Sequence, residues 1–148
     1  MKRSLLILAA MVFLAADTPP KDAAQNDLDL MQGDWQAMAM VRDGAEFPPE
    51  DAQALFRSVK GGDYSVFRYN KAISKGKLTL DPTTTPKSCD ARITAAGGKE
   101  MVILGIYEVT KDKMKLCFAS PGAKDRPKSF EAPEGSGLTM SVWVREEK

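Results

Sequence analysis

Two short tryptophan-containing segments stand at opposite ends of the region with β-forming residues. Gly33-Asp34-Trp35 opens the first β run, and Trp143-Val144-Arg145 closes the last one. If the first and last strands pair antiparallel, the guanidinium of Arg145 can stack on the indole of Trp35. Such a pairing closes the sheet on itself and removes both open edges. The two segments therefore predict a closed β-barrel, with Gly33, Trp35 and Arg145 as the structural residues of the closure.

The chain between these segments is a series of short β runs separated by turn residues such as Asp43-Gly44 and Gly97-Gly98. One short helix is expected after the first strand, where Pro48-Pro49 is followed by two acidic residues. The predicted fold is all-β: an eight-stranded antiparallel up-and-down barrel with one short helix after the first strand. The expected strands lie near residues 34–42, 56–60, 64–70, 75–80, 89–95, 101–110, 113–119 and 138–146.

Residues 1–16 are typical of an export signal, because a short basic segment precedes an apolar run that ends in Ala15-Ala16. A transmembrane anchor is the less favoured alternative, because the apolar run is too short to span a membrane comfortably. Residues 17–30 are expected to form a flexible, solvated leader, although residues 27–31 could add a helical turn that plugs one barrel end. The barrel domain is assigned to residues 31–148. The mature protein is expected in the periplasm or outside the cell.

The charge balance argues against nucleic acid or an anionic membrane as a partner. Loss of Lys2 and Arg3 with the signal leaves 19 basic residues against 20 acidic ones, a net charge of −1. Nucleic-acid and anionic-membrane binders instead carry a basic surface. The chain has no histidine, the usual general base and metal ligand, and no phosphate-binding or dinucleotide motif. We therefore expect no enzyme activity, no catalytic residues, no metal and no cofactor.

Alternating apolar residues predict which side chains line the barrel. On the first strand either Ala37, Ala39 and Val41 or Met38 and Met40 face inward, because a shift of one residue exchanges the faces. A barrel of this size holds either packed side chains or one small ligand. The sequence leaves both open: a protein that binds a small, largely apolar ligand, or a filled barrel that acts as an interaction, inhibitory or scaffold module through its loops. The expected lining residues are Phe67, Tyr69, Leu78, Leu80, Ile93, Tyr107, Met114, Leu116, Phe118, Met140 and Val142.

The longest connection, residues 120–137, is the candidate surface for a protein partner. Long loops are often functional, although disorder is the competing explanation. Within this loop, Arg126-Pro127-Lys128-Ser129-Phe130 offers a basic and aromatic edge.

Cys89 and Cys117 are expected to be two buried thiols. The strands that carry them are separated by one strand, so their backbones should lie about 9–10 Å apart. A disulfide requires Cα atoms within about 7 Å of each other. A disulfide between Cys89 and Cys117 is possible only if Cys89 lies in the loop before its strand.

Several segments also resemble a known family. The Gly-x-Trp opening and the final Arg are similar to the closure signature of lipocalins (calycins). The match with a narrower group, uncharacterised lipocalin-like domains abundant in planctomycete bacteria, covers about residues 30–147. That family has no established activity, so the resemblance implies a barrel fold and an exported setting. The segments that carry it are Leu80-Asp81-Pro82-Thr83-Thr84-Thr85-Pro86-Lys87, Leu104-Gly105-Ile106-Tyr107-Glu108, Met114-Lys115-Leu116-Cys117-Phe118-Ala119, Pro121-Gly122, Arg126-Pro127, Phe130 and Gly135-Ser136-Gly137.

Overall fold

The computed structural model describes residues 22–147 and shows a closed antiparallel β-barrel. Eight strands follow one another around the barrel, and the last pairs with the first, as the sequence predicts. The remaining strand has two residues and pairs antiparallel with the end of the first strand, with which it forms a short hairpin. The strands are β1 (Gly33–Arg42), the extra β2 (Ala45–Glu46), β3 (Leu55–Lys60), β4 (Asp63–Arg68), β5 (Lys71–Asp81), β6 (Ser88–Thr94), β7 (Glu100–Val109), β8 (Lys113–Phe118) and β9 (Thr139–Arg145).

Strands β1 and β9 meet as their sequence motifs predict. Trp35 lies directly opposite Arg145, and the guanidinium carbon is 4.1 Å from the centroid of the indole. Trp35 is completely buried. Gly33 has φ +107°, and a Cβ atom there would lie 2.9 Å from Nη1 of Arg145. A glycine is therefore needed at this position both for its backbone conformation and for the approach of the arginine.

A β-bulge in β1 decides which of its side chains face the interior. The register with β9 shifts between Ala37 and Ala39, so that Met38 is 57% exposed. Ala37 and Met40 are both buried in the core. Neither inward set expected from the sequence is therefore correct, because the extra residue exchanges the two faces halfway along the strand.

Helix α1 (Ala23–Met31) covers one end of the barrel. Met31 is fully buried, and its carbonyl oxygen accepts a hydrogen bond of 2.9 Å from the indole nitrogen of Trp35. Arg145 donates to the carbonyl oxygens of Leu30 and Gln32, which lie at the end of the helix. These bonds satisfy carbonyls that a helix end otherwise leaves without partners. The closure residues thus hold the helix as well as the seam.

This helix corrects the expectation of a flexible leader. From residue 23 onward the expected leader is an ordered helix, longer than the plugging turn that the sequence suggested at residues 27–31. Residues 1–21, which include the predicted export signal, lie outside the described residues. Neither helix within residues 22–147 is long and apolar enough to cross a membrane.

A buried polar cluster also attaches α1 to the barrel wall. The hydroxyl of Tyr107, on β7, donates to Oδ2 of Asp27 at 2.7 Å, and Nζ of Lys87 donates to the same oxygen at 2.8 Å. Burial and the bond to Asp27 raise the pKa of the Tyr107 phenol. Both partners of the carboxylate are therefore donors, as a buried carboxylate requires.

The second helix, α2 (Pro49–Gln53), follows β2 and is the short helix that the sequence predicts. Asp51 on this helix pairs with Arg68 at the end of β4, with 2.7 Å between the charged atoms. Phe47, just before the helix, packs against the core. The helix thus lies beside the barrel end where β3 begins.

The long loop between β8 and β9 is held against the outer face of the barrel. Nη1 of Arg126 donates to the carbonyl oxygens of Cys89 and Gly105, both at 2.8 Å, and Nη2 pairs with Asp90. Pro127 is buried. Much of the basic edge expected as a partner surface is therefore engaged with the chain's own strands. The reason is that β6 and β7 present backbone oxygens to the loop.

Cys89 and Cys117 are separate buried thiols. Cys89 belongs to the interior core, whereas Cys117 lies on the other face of β8, 3.7 Å from the carbonyl oxygen of Glu131 in the loop. Burial raises the pKa of the Cys89 thiol from 9.0 to about 12. Because both side chains lie on strands separated by β7 and on opposite faces, they cannot bridge.

The raised pKa of Cys89 predicts a loss of stability at alkaline pH. The unfolded chain releases this proton first, so the contribution of Cys89 is fully present below pH 9.0 and is lost as the pH rises toward about 12. The slope is at most about 1.4 kcal/mol per pH unit. Urea unfolding at a pH below 9 and again near pH 10 measures how far the free energy of unfolding falls between the two. This fall should be smaller in Cys89→Ala than in the wild type. Equal losses in both proteins would contradict the assignment.

Candidate functional site

The interior of the barrel is packed at the α1 end and hollow at the other end. Around Trp35 the buried core includes Met31, Val59, Tyr107 and Met114. Toward the opposite end, a cavity of about 540 Å³ opens between the ends of β1, β8 and β9. The apolar wall of the cavity is formed by Met40, Ala91, Ile103, Phe118 and Trp143. Its polar groups come from Arg57, Tyr64, Ser74, Thr139 and Ser141. The residues at its mouth include Arg42, Asp43, Ser120, Pro121 and Gly137.

Arg57 is a charged residue inside this barrel. It lies in the middle of β3, opposite Trp35 on β1, and is only 4% exposed. Its guanidinium carbon is 4.3 Å from the ring centroid of Tyr64 and 5.9 Å from that of Trp143. Burial lowers the pKa of Arg57, while Tyr64 and Cys89 act in the opposite direction. An arginine nevertheless stays charged in proteins, so a cation faces the cavity.

Two nitrogens of Arg57 have no hydrogen-bond partner. Nε and Nη2 are both buried, and no oxygen of residues 22–147 accepts from either of them. Asp43 also lines the cavity, but it lies at the mouth and its Oδ1 accepts from the backbone nitrogen of Gly137. A buried ion without a partner costs several kcal/mol, whereas the stack on an aromatic ring returns only about 0.5–2 kcal/mol. The site therefore has an unmet requirement for a hydrogen-bond acceptor.

Hydroxyl groups supply further donors around the cavity. The hydroxyl of Ser141 accepts a hydrogen bond of 2.8 Å from the indole nitrogen of Trp143, so that its own proton remains free to be donated. Ser74 and Thr139 also line the cavity. Because Ser141 and Trp143 are adjacent inward residues of β9, the hydroxyl lies near the ring beside Arg57.

The structure places seven of the expected lining residues inside the barrel. Phe118 borders the cavity itself, and Tyr107 lies at the α1 end. The other five belong to the buried core or pack against it: Leu78, Leu80, Ile93, Met114 and Leu116.

Four expected lining residues face elsewhere. Tyr69 lies in the turn between β4 and β5 and is 74% exposed. Phe67 lies opposite Phe56, on the face of β4 that alternates with buried Tyr64. Met140 and Val142 alternate with Ser141 and Trp143, which line the cavity. On β4 and β9 the pairing register brought the other set of side chains inward, whereas Tyr69 lies beyond the end of β4.

Sequence reasoning missed Arg57, Tyr64, Ser141 and Trp143 as cavity residues. A signal for Arg57 was present: Leu55, Arg57 and Val59 share one face of β3, and all three are buried. A charged residue between two aliphatic residues of the same parity is a candidate buried charge. Apolar alternation alone passed over it.

Within residues 22–147 no group of three or more acidic or cysteine side chains is arranged to hold a metal ion. Comparisons of the chain with protein-family models, with curated proteins and with solved structures gave no match.

Proposed function

We propose that this protein is an exported binding protein that holds one small, largely apolar molecule in the open half of its barrel. The cavity of about 540 Å³ carries the proposal. Ligand pockets commonly have volumes of about 300–1,000 Å³ and are lined by apolar side chains with a few polar groups. Met40, Ile103 and Phe118 form such an apolar wall, and methionine adapts easily to the shape of a ligand. Export and the lipocalin-like resemblance are sequence predictions that belong to the same proposal.

The alternative, a filled barrel that acts through its long loop, has less support. A barrel filled with side chains would not leave a cavity of this size beside Arg57. In the loop, the guanidinium of Arg126 is already bonded to β6 and β7, and Pro127 is buried. Most other residues of the loop 120–137 are exposed, but the large exposed apolar side chains of residues 22–147 all lie outside it, so the loop presents no apolar patch to a protein partner.

A neutral fluorescent probe tests whether the cavity takes up a ligand. N-phenyl-1-naphthylamine emits strongly in apolar surroundings and should bind the wild-type protein saturably, with one probe per chain. Thr139 lines the cavity, so Thr139→Phe should narrow it and weaken the uptake about tenfold or more. Native mass spectrometry of protein from its own host would identify the natural ligand.

Met140→Phe is the matched control. Met140 is the next residue along β9 and does not line the cavity, so the same aromatic group there should leave uptake within about twofold of wild type. Absence of saturable uptake by the wild type would contradict the proposal. An equal loss in both variants would also contradict it, because the probe would then not be inside the barrel.

A further inference from the structure

We infer that the ligand of this cavity is an amphiphile with one negative charge. Its head group, a carboxylate or a similar oxyanion such as a sulfate ester, binds Arg57 at the bottom of the cavity, and its apolar part lies toward the mouth of the cavity. The inference rests on the proposed function, that a small molecule occupies the cavity. It adds the chemical class of that molecule and its orientation.

The contrast with the other arginines carries the first step. Arg145 donates to three carbonyl oxygens, and Arg126 donates to two carbonyls and a carboxylate. Nε of Arg68 is also buried without a partner, but the charge of Arg68 is paired with Asp51. Arg57 is more deeply buried than these and has no oxygen partner within residues 22–147. A charge so placed is explained by a partner that arrives with the ligand.

A purely structural role accounts poorly for Arg57. Replacement of a buried ion by an apolar residue of similar size is often neutral or stabilising, so packing alone does not require a cation here. The stack on Tyr64 would hold the guanidinium in place and leave its edge free for hydrogen bonding. Arginine with its nitrogens unpaired is the arrangement expected of a preformed anion site.

The geometry also limits the ligand. The guanidinium forms two parallel hydrogen bonds with a carboxylate or a similar oxyanion, and the hydroxyl of Ser141 offers a further donor. Arg42, the other cation that borders the cavity, lies at its mouth. In the deep half of the cavity Arg57 therefore neutralises one negative charge of a ligand. Met40, Ile103 and Phe118 then remain for an apolar tail. One anionic head and one apolar tail define the ligand class.

A head-group series tests the inference on the wild-type protein. Decanoate, decyl sulfate, decanol and decyltrimethylammonium share one tail, and calorimetric titration below their micelle-forming concentrations gives each affinity. Decanoate or decyl sulfate should bind roughly 10- to 100-fold more tightly than decanol, and the cation should bind most weakly. Comparison of the two anions shows which oxyanion the site prefers.

Variants of Arg57 locate the preference. Arg57→Met should bind decanoate no more tightly than decanol, while its affinity for decanol stays near that of the wild type. Its unliganded melting temperature should be equal to the wild-type value or higher. Arg57→Lys keeps the charge without the planar fork, so it should retain part of the preference. Arg68→Met, which changes an arginine that does not line the cavity, should leave the preference unchanged.

The outcomes separate the two proposals. If wild type binds decanol and decanoate equally, the anion site is wrong and the binding function stands. If it binds none of the four compounds, this inference fails, and uptake of N-phenyl-1-naphthylamine then decides the binding function. If Arg57→Met folds but loses decanol together with decanoate, Arg57 is structural and the inference is overturned. If Arg57→Met does not fold, the wild-type series decides alone.

Discussion

The Trp35→Ala variant should lose about 3–5 kcal/mol of the free energy of unfolding. Trp35 is completely buried where β1, β9 and α1 meet, and its indole donates to the carbonyl oxygen of Met31. The substitution removes a large apolar side chain, a hydrogen bond and the surface on which Arg145 stacks. A domain of this size is stable by about 5–15 kcal/mol, so such a loss brings it close to unfolding. Urea unfolding followed by circular dichroism measures the change.

Met38→Ala is the matched control for this variant. Met38 lies on the same strand and is also large and apolar, but the bulge leaves it 57% exposed. Its truncation should change the free energy of unfolding by no more than about 0.5 kcal/mol. A loss of similar size in both variants would show that the closure around Trp35 is not the stabilising feature.

The Arg145→Met variant should lose about 2–4 kcal/mol of the free energy of unfolding. Its guanidinium donates to the carbonyl oxygens of Leu30, at 2.6 Å, of Gln32, and of Lys111, at 2.7 Å. Methionine fills similar space but donates no hydrogen bond, so that these carbonyls lose their partner and α1 loses an attachment to the barrel. Urea unfolding gives the stability, and hydrogen exchange should show faster exchange in α1.

Two variants bracket this effect. Arg145→Lys keeps the charge but cannot reach three carbonyls with one planar group, so its loss should be intermediate. Arg42→Met removes an exposed arginine at the opposite end of β1 and should have little effect. Because Arg145 and Trp35 are in contact, the double variant should lose less than the sum of the single losses. Unchanged stability and exchange in Arg145→Met would refute the proposed attachment of α1.

Strand positions could be predicted closely where alternation and turn residues agree. The prediction at residues 113–119 corresponds to β8, Lys113–Phe118. Strand β5 begins earlier than expected, at Lys71, because its polar first half is ordered by pairing with β4. Helix α1 was missed over most of its length for a related reason. Four of its nine side chains are polar, and its order depends on contacts with Trp35, Tyr107 and Arg145, which are distant along the chain.

The candidate site could be predicted less well than the barrel that contains it. Phe118 borders the cavity as the alternation on β8 predicts. On β9 the more apolar set, Met140 and Val142, faces out, and Ser141 with Trp143 faces in. Apolarity is a weak guide there because both faces of this strand are partly covered.

The amino-acid sequence by itself determined that the chain closes into a barrel, since Gly33, Trp35 and Arg145 fit together only when the two ends pair. Only the tertiary structure decided what the barrel contains. Alternation survives a shift of one residue, so the bulge at Met38 and the inward side of β9 depend on the partner strands. Whether Arg57 finds an acceptor likewise depends on what every other strand brings to the interior. The described strands bring two aromatic rings and no carboxylate to its side.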